Sequence, residues 1–308
     1  MRTSALGQRR RPALWGVPLL LCAFLTGMLL DSPPPDRVDS TVSSDVDLVE
    51  GEVAGTFRVA SFNVLGNNHT GPHGTHKGFA SGATRTDYLI RLLDLRGLSV
   101  AGLQEFQRPQ FDRFMSRTQG AWGVYPGNQL SNYATHNSIV WRTSQWELLE
   151  AKTLPIPYFH GTKVPMPYVL LRNLQSGRLV WFANFHNPAS GKRRGNQSQW
   201  RNQAAAMEVA LANTLWQTGV PLVLTGDMNE QASYFCKMAT LAPMKSASGG
   251  GYGTSTCRPP AEQRIDWVFG SNFVQFSGYG VHRGDLIQKT SDHPMIVADV
   301  TIPLRPRV

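Results

Sequence analysis

Short segments with the apolar spacing of strands and helices alternate along most of the chain. Residues 57–64 alternate between apolar and polar positions and are rich in β-branched and aromatic side chains, which predicts a strand. Residues 83–96 carry leucines at helix-like spacing, so we expect a helix that ends at Gly97. The same reasoning predicts a longer helix at 197–217 and strands at 98–103, 137–142, 166–173, 178–185, 221–225, 264–269, 273–280 and 295–302. This alternation indicates one α/β domain over residues 55–304.

The N-terminus has a different pattern. Residues 1–12 are basic and are followed by an uncharged apolar run at 13–30. About 18–20 apolar residues are enough for a helix to cross a bilayer. Basic residues before the run and acidic residues after it predict a cytoplasmic N-terminus and a domain outside the cytoplasm. We therefore expect a transmembrane anchor, because the run is long for a signal peptide and no Ala-x-Ala site follows it; secretion after signal cleavage is the alternative.

Residues 31–54 are polar and acidic, begin with a run of prolines and show no apolar period. This composition is typical of a disordered tether. Of the 30 basic and 21 acidic residues in the chain, five basic and seven acidic ones lie in residues 1–52. The domain therefore carries a surplus of positive charge, which suits a polyanionic partner such as nucleic acid or an anionic lipid surface.

Three cysteines are present. Cys22 lies in the apolar run, which leaves Cys236 and Cys257 in the domain that we expect outside the cytoplasm. Cysteines in an oxidising compartment can pair, and this pair would close a loop of about 20 residues. Two free, buried thiols are the alternative.

Polar residues follow the predicted strands at the points where the strands end. Such positions often form the site of an α/β domain, because rigid strands hold side chains beside adaptable loops. Taken singly, each has a structural explanation, such as a turn-forming asparagine or an aspartate that caps a helix. The residues are Asn63, Glu105, His186, Asp227, Asn229, Asp266, Asp292 and His293.

The order of these residues resembles the endonuclease/exonuclease/phosphatase superfamily, whose members look like DNase I. The resemblance implies a four-layer sandwich of two mixed β-sheets flanked by helices, and it covers essentially the whole domain. Each motif is weak alone, and the ordered set is specific. The motifs are Ser61-Phe-Asn-Val64, Gln104-Glu105, Asn184-Phe-His186, Gly226-Asp-Met-Asn229, Ile265-Asp-Trp267 and Ser291-Asp-His293.

The resemblance assigns three of these residues to a metal site. Glu105 is similar to the family's principal metal ligand, and Asn63 and Asp292 would lie close to the same ion. Carboxylate and amide oxygens suit a hard cation such as Mg²⁺, with Mn²⁺ or Ca²⁺ as substitutes. A bound cation would polarise the phosphoryl oxygen and neutralise developing charge.

The resemblance gives the other five residues catalytic roles. Asp227 would orient and help to deprotonate the attacking water, and Asn229 would donate to a phosphate oxygen. His293 resembles a histidine paired with a carboxylate, here Asp266, which would fix its tautomer. His186 would protonate the leaving oxygen or stabilise the pentacovalent phosphate. The family branch that cleaves at abasic sites usually lacks this histidine, which argues against that activity.

Candidate substrate-binding residues lie in the loops. The basic cluster Lys192, Arg193 and Arg194 follows His186 closely and could hold a neighbouring phosphate. Tyr133 and Asn137 precede an apolar strand and could face the cleft. The glycine-rich stretch at 66–77 also holds His69, His73 and His76, a spacing that is more typical of a flexible polar lip than of a zinc site.

Three functions fit the sequence. The leading hypothesis is an exported, Mg²⁺-dependent nuclease that hydrolyses phosphodiester bonds of DNA or RNA. A phospholipid-directed phosphoesterase of the sphingomyelinase or inositol phosphatase type shares the same residues and is the alternative. A non-catalytic binding module with a vestigial site is the third. The expected partners are nucleic acid as substrate and the membrane through the N-terminal segment, and the sequence indicates no protein partner.

Overall fold

The structure, a computed structural model, describes residues 55–71, 73–131, 136–251 and 257–304. The segments predicted as a basic N-terminus (1–12), membrane segment (13–30) and tether (31–54) lie outside the described residues, as does Tyr133. Within the part of the chain that is described, no helix has both the length and the apolar character needed to cross a membrane.

The first sheet contains six strands in the order β11-β12-β1-β2-β4-β3. They are β1 (Gly55–Asn63), β2 (Val100–Gln104), β3 (Trp122–Tyr125), β4 (Asn137–Arg142), β11 (Gln275–His282) and β12 (Met295–Ile302). Strands β1 and β2 are parallel, and all other pairs in this sheet are antiparallel. The parallel register sets Asn63, at the end of β1, beside Gln104, at the end of β2.

The second sheet has six strands in the order β5-β6-β7-β8-β10-β9 and again a central parallel pair, β7 and β8. They are β5 (Trp146–Pro157), β6 (Lys163–Asn173), β7 (Leu179–His186), β8 (Leu222–Asp227), β9 (Met244–Ser246) and β10 (Asp266–Ser271). This register sets His186 beside Asp227. Strand β10 is antiparallel to β8 and begins with Asp266 opposite Asp227.

The helices are α1 (Asn67–Thr70), α2 (Gly82–Leu95), α3 (Arg108–Thr118), α4 (Ser198–Gln217), α5 (Ala232–Leu241) and α6 (Asp285–Thr290). Helix α2 begins after Ser81, whose side chain accepts a hydrogen bond from the backbone of Thr84. Apolar side chains of α2, α3 and α6 pack on the first sheet, and those of α4 and α5 pack on the second. A third apolar cluster fills the space between the sheets, so the domain has the four layers that the family resemblance implies.

Gly102 in β2 lies directly against side chains of the second sheet. A Cβ atom there would lie 1.9 Å from Thr225 Oγ1 and 2.5 Å from Asn184 Oδ1. Asn184 Oδ1 accepts hydrogen bonds from Gln104 Nε2, at 2.7 Å, and from Thr225 Oγ1, at 3.1 Å. Asn184 Nδ2 donates to the carbonyl oxygens of Leu103 and Ser138 in the first sheet. A buried polar network therefore joins the sheets directly beneath the strand ends.

Every predicted strand and helix is confirmed, with ends that shift by at most three residues. The patterns did not predict strands β3, β5 and β9 or helices α1, α3, α5 and α6. Strand β5 is the longest of these, and its apolar and polar positions do not alternate, because it lies at the edge of the second sheet with much of its length exposed. Of the two alternatives for Cys236, in α5, and Cys257, the structure shows the disulfide, with the Cα atoms 5.4 Å apart.

Candidate active site

The predicted polar residues meet at one edge of the two sheets. Asn63 and Asp227 end β1 and β8, Glu105 follows β2, His186 ends β7 and Asp266 begins the antiparallel strand β10. Strand direction explains the meeting, because parallel strands end at the same edge and an antiparallel neighbour begins there. His293 and Asp292 join this edge from the loop that precedes β12.

Asp227 lies at the centre of this edge and is 2% exposed. Its Oδ2 atom is 3.1 Å from Asn63 Nδ2, 3.7 Å from His186 Nε2 and 3.8 Å from His293 Nε2. Its Oδ1 atom accepts a hydrogen bond from the backbone of Asn229 at 3.0 Å. One carboxylate oxygen thus faces an amide and two imidazoles, the arrangement needed to position a water and receive its proton.

Asp266 and His293 form the predicted carboxylate–imidazole pair. His293 Nδ1 lies 3.1 Å and 3.0 Å from the two carboxylate oxygens of Asp266. Burial by itself would lower the pKa of His293, but the hydrogen bond to Asp266 and the charge of that carboxylate raise it well above its usual value. Burial and the nearby charge of Asp227 raise the pKa of Asp266. The pair leaves Nε2 of His293 directed at Asp227.

Glu105 is held in a left-handed backbone conformation, with φ of 58°, which is uncommon for any residue except glycine and is found at functional sites. Its carboxylate accepts hydrogen bonds from the backbone of Gly66 at 2.7 Å and from Asn63 Nδ2 at 3.1 Å. Burial by itself would raise its pKa, but His69, the charge of His186 and these two donors hold the pKa of Glu105 well below its usual range. The carboxylate is therefore ionised and ready to bind a cation.

Asp292 joins the site through the residue before it. Ser291 donates its hydroxyl to the carbonyl oxygen of Asn63 at 2.6 Å and accepts a hydrogen bond from the backbone of His293 at 3.1 Å. The last motif of the chain is thereby fixed to the end of β1. Asp292 Oδ2 itself lies 3.2 Å from His76 Nε2.

Tyr158 is a site residue that sequence reasoning missed. Its hydroxyl lies 3.3 Å from His186 Nε2, and the two rings pack edge to face. Burial and the charges of Glu105 and Asp227 raise the pKa of Tyr158, so its phenol stays neutral. Tyr158 follows β5 and belongs to none of the six motifs, so no local pattern marked it.

The predicted substrate-binding residues have different surroundings. Lys192, Arg193 and Arg194 are exposed in a tight turn closed by Gly191 and Gly195. Of the three, Arg194 contacts the site's rim: its guanidinium carbon lies 3.9 Å from the centre of the Phe159 ring, next to Tyr158.

Asn137 and Asn229 are fixed by the framework. Asn137 is buried at the start of β4 opposite Gln104, and its Oδ1 has no hydrogen-bond partner among the described residues. Asn229 Nδ2 donates to the carbonyl oxygen of Asn187 at 2.8 Å, which orients the side chain predicted to contact phosphate. Asn187, buried directly after His186, also escaped the sequence analysis.

The residues present fit a divalent cation. Asp227, Asp266 and His293 each offer one ligand atom, and these three atoms lie within 4.8 Å of one another. The carboxylate of Glu105 is a further hard oxygen donor, joined to Asp227 through Asn63 Nδ2. Asn63 directs its amide nitrogen at Glu105 and Asp227, while its oxygen accepts a hydrogen bond from the backbone of Leu65. Metal coordination by Asn63 therefore remains a prediction, and the residue clearly orients the two carboxylates.

The chain belongs to the endonuclease/exonuclease/phosphatase family, because the model of that family matches residues 60–293, a range that includes every residue of this site. Members of this family are hydrolases that act on phosphoester bonds, and they are typically dependent on divalent metals. Comparison with curated protein sequences gives no match.

Solved structures of the same family share the fold. A family protein from Bacteroides thetaiotaomicron superposes with a TM-score of 0.62 at 16% identity, covering 82% of this chain and 100% of that one. A mannosyl-6-phosphatase from the same organism gives 0.60 at 16% identity, covering 79% and 99%. D. rerio TDP2 in complex with a single-strand DNA product gives 0.58 at 17% identity, covering 80% and 99%. At these identities the likeness shows the fold alone.

Proposed function

We propose that the chain is a divalent-metal-dependent nuclease that hydrolyses phosphodiester bonds of DNA or RNA, with Mg²⁺ as the cation predicted from the sequence. The observation that carries the proposal is the arrangement around Asp227 Oδ2, which faces Asn63, His186 and His293 within 3.8 Å. A water bound there would be held by a carboxylate and flanked by imidazoles on two sides. This is the geometry of general acid–base attack on a phosphorus centre.

The residues divide the reaction between them. Asp227 would orient the attacking water and accept its proton, with His293 Nε2 beside the same oxygen. Asp266 holds His293 in one orientation and stabilises its charged form, as a carboxylate does for a catalytic imidazole. His186, supported by the neutral phenol of Tyr158, would donate a proton to the leaving oxygen. The cation supplies charge neutralisation at the phosphoryl oxygens when it is bound.

Two features favour nucleic acid as the substrate. All of the chain's surplus of positive charge lies in the domain, because residues 1–52 are net acidic, and this surplus favours contact with a polyphosphate backbone. Beside the site, Arg194 covers Phe159, and Phe159 packs on Tyr158 with ring centres 4.4 Å apart. Aromatic rings next to arginine form a surface on which nucleobases stack regardless of sequence. The related structures include one with a DNA product and one named as a sugar phosphatase, so the substrate must be measured.

The test offers the full chain a panel of substrates with Mg²⁺: plasmid DNA, single-stranded DNA, RNA, sphingomyelin, inositol phosphates and mannose 6-phosphate. We expect cleavage of DNA or RNA with little sequence preference. Its apparent affinity should fall steeply between about 50 and about 200 mM salt, because each phosphate contact releases counterions. Hydrolysis of sphingomyelin or of a phosphate monoester, with nucleic acids untouched, would replace the nuclease assignment with that other activity.

The basic turn gives a second readout. Changing Lys192, Arg193 and Arg194 to alanine should make the apparent affinity for nucleic acid less sensitive to salt. The same change should raise KM more than it lowers kcat. Arg91→Ala, which removes an exposed arginine from α2 in the other helical layer, is the matched control and should leave both unchanged. An unaltered salt slope in the triple variant would show that the turn is only solvated surface.

We also propose that the domain works outside the cytoplasm, attached through residues 13–30. The disulfide between Cys236 and Cys257 supports this, because such bonds persist in oxidising compartments. External protease should then digest the domain on intact cells, and the full chain should sediment with membranes and resist alkaline washing. Quantitative release into the medium with a new N-terminus near residue 31 would instead show a cleaved signal peptide.

A further inference from the structure

A cavity of about 240 Å³ opens beside the last motif of the chain. It lies between the loop that precedes α2 and the segment 283–294, which contains α6. Two of its lining residues, Ile287 and Pro294, are buried and apolar, and Phe79 and Arg283 line it as well. Asp292 and His293 also line the cavity, and both belong to the candidate active site. A molecule in the cavity would therefore adjoin the reacting phosphorus.

The aromatic wall of the cavity is held in place on both sides. The Phe79 ring contacts the His76 ring edge to face, with ring centres 6.3 Å apart, and His76 in turn lies against Asp292. Directly after Phe79, the carbonyl oxygen of Ala80 accepts a hydrogen bond from Nε of the buried Arg85 at 3.0 Å. The Phe79 ring itself is only half-buried. A fixed ring with an exposed part can stack on a planar base.

The charge of the cavity comes from Arg283. This arginine follows β11 directly, is exposed and forms no ion pair with another described residue. Its guanidinium can therefore bind a phosphate group. The same positive charge disfavours the cationic choline group of sphingomyelin, because like charges repel. At the mouth of the cavity, the cation predicted for Asp292 would offset the negative charge of that carboxylate.

The size of the cavity narrows the ligand further. Pockets that hold drug-sized ligands usually measure about 300–1,000 Å³, so a cavity of about 240 Å³ suits one ring system and leaves no room for acyl chains. A nucleotide combines a planar base, which can stack on Phe79, with a phosphate, which can pair with Arg283. A sugar monophosphate has the phosphate but no aromatic face.

We propose that this cavity is a nucleotide subsite, in which Phe79 stacks on the base of a nucleotide that adjoins the scissile phosphodiester and Arg283 binds the next phosphate of the strand. The inference rests on the proposed nuclease and adds the part of the site that recognises a base. The competing explanation is that Phe79 only packs its own loop and that Arg283 is a solvated surface cation.

Two oligonucleotides of equal length and charge separate the base from the backbone. One is an oligothymidylate, or an oligouridylate if RNA is the substrate, and the other carries an abasic sugar at every position. With the full chain and Mg²⁺, Phe79→Ala should raise KM for the first strand roughly 5- to 150-fold, the effect of one lost base–aromatic stacking contact. It should leave kcat, and KM for the abasic strand, unchanged. The matched control is Phe273→Ala, which removes an exposed ring after the end of β10 and should change neither KM.

Two further variants distinguish stacking from packing of the loop. Phe79→Leu fills the loop but has no π face, so its KM for the base-containing strand should rise as in Phe79→Ala. Phe79→Tyr keeps the π face and should retain the wild-type KM. A wild-type KM in Phe79→Leu, or equal losses on both strands in Phe79→Ala, would overturn the proposal.

Arg283→Gln tests the phosphate contact. The plot of log binding constant against log salt concentration should become shallower by about 0.7, the contribution of one phosphate contact to a single strand. Arg91→Gln, at an exposed position of α2, is the control and should keep the wild-type slope. An unchanged slope in Arg283→Gln would exclude Arg283 from the subsite. A wild type that cleaves neither DNA nor RNA would overturn the proposed function, whereas cleavage that is indifferent to Phe79 would overturn only this inference.

Discussion

The Nη1 atom of Arg85 lies 2.9 Å from the carbonyl oxygen of Thr290, a residue 205 positions further along the chain. The same atom donates to the carbonyl oxygen of Val64, directly after Asn63. Arg85 is 1% exposed, and within the described residues its guanidinium donates hydrogen bonds to backbone carbonyl oxygens and to the Thr70 hydroxyl. One buried guanidinium thus joins the loop after the first strand to the turn before Asp292.

Arg85→Met should destabilise the domain and reduce activity together. It keeps most of the side-chain volume but leaves several buried carbonyl oxygens without donors, each costing about 1–3 kcal/mol. Burial lowers the pKa of Arg85 to about 10, so the native side chain is still charged at neutral pH. The free energy of unfolding in urea and kcat should both fall for Arg85→Met. Arg91→Ala, on the exposed face of the same helix, should change the free energy of unfolding by less than about 0.5 kcal/mol. Equal free energies of unfolding for both variants would show that the hydrogen bonds of Arg85 do not stabilise the domain.

Glu105→Gln should abolish metal-dependent hydrolysis while leaving the fold intact. The amide keeps the size of the side chain and its acceptor for the backbone of Gly66, but it loses the charge that attracts the cation. EDTA should silence the wild-type enzyme likewise, and circular dichroism should be the same for both proteins. Asp112→Asn, which neutralises an exposed acid on α3, is the control and should retain activity. Full activity of Glu105→Gln, or of wild type in EDTA, would exclude the proposed mechanism.

Asp266 and His293 should act as a unit in kinetics. His293→Ala and His186→Ala should each lower kcat on the order of 100-fold or more, the usual scale for a positioned proton transfer. Because Asp266 acts through His293 Nδ1, Asp266→Asn combined with His293→Ala should be scarcely worse than His293→Ala alone. The measurement is a double-mutant cycle on kcat/KM, and fully additive losses would show that the two residues work independently.

Glu208 should make the stability of the domain fall as pH rises. It is fully buried in α4 and accepts a hydrogen bond from the Tyr234 hydroxyl at 2.7 Å. Burial raises the pKa of Glu208 from 4.5 to about 7, so between these values the folded chain holds a proton that the unfolded chain releases. The free energy of unfolding should therefore decrease by roughly 3 kcal/mol across that window.

The comparison with Glu208→Gln isolates this effect, because glutamine keeps an acceptor for Tyr234 and cannot ionise. Urea unfolding between about pH 4.5 and about pH 8 should show the variant gaining stability relative to wild type as pH rises towards 7. Glu147→Gln, at an exposed position of β5, should run parallel to the wild type. If the free energy of unfolding of Glu208→Gln also changes with pH in parallel with the wild type, the ionisation of Glu208 does not cause the pH dependence of stability.

The residues that could be predicted from sequence are those fixed by strand ends. Asn63, His186 and Asp227 directly terminate apolar strands, so pattern and motif place them together once the strand directions are known. Tyr158 could not be found this way, because it reaches His186 from a turn after β5, an edge strand without alternation. Arg85 lies on a helix identified by its leucines and has the appearance of a surface arginine until packing buries it.

The loop that holds His69 and His76 shows a second limit of prediction from sequence. Composition around His69 and His76 indicates flexibility, since glycine and small polar residues dominate the 66–77 segment. The structure instead fixes the loop by contacts with residues far along the chain, among them the hydrogen bonds between Asn68 and Gln107 at 2.8 and 2.9 Å. No local pattern encodes such contacts, because they depend on where α3 lies relative to the end of β1.

The missing side chain at Gly102 makes the catalytic apparatus sensitive to a change that touches no reacting group. Glu105 follows β2 of one sheet and Asp227 ends β8 of the other, so their relative position depends on the close packing at Gly102, where a Cβ atom would lie 1.9 Å from Thr225 Oγ1. A single methyl group there would act as a spacer and shift the two half-sites relative to each other. A substitution at Gly102 should therefore lower turnover even though every catalytic residue is unchanged.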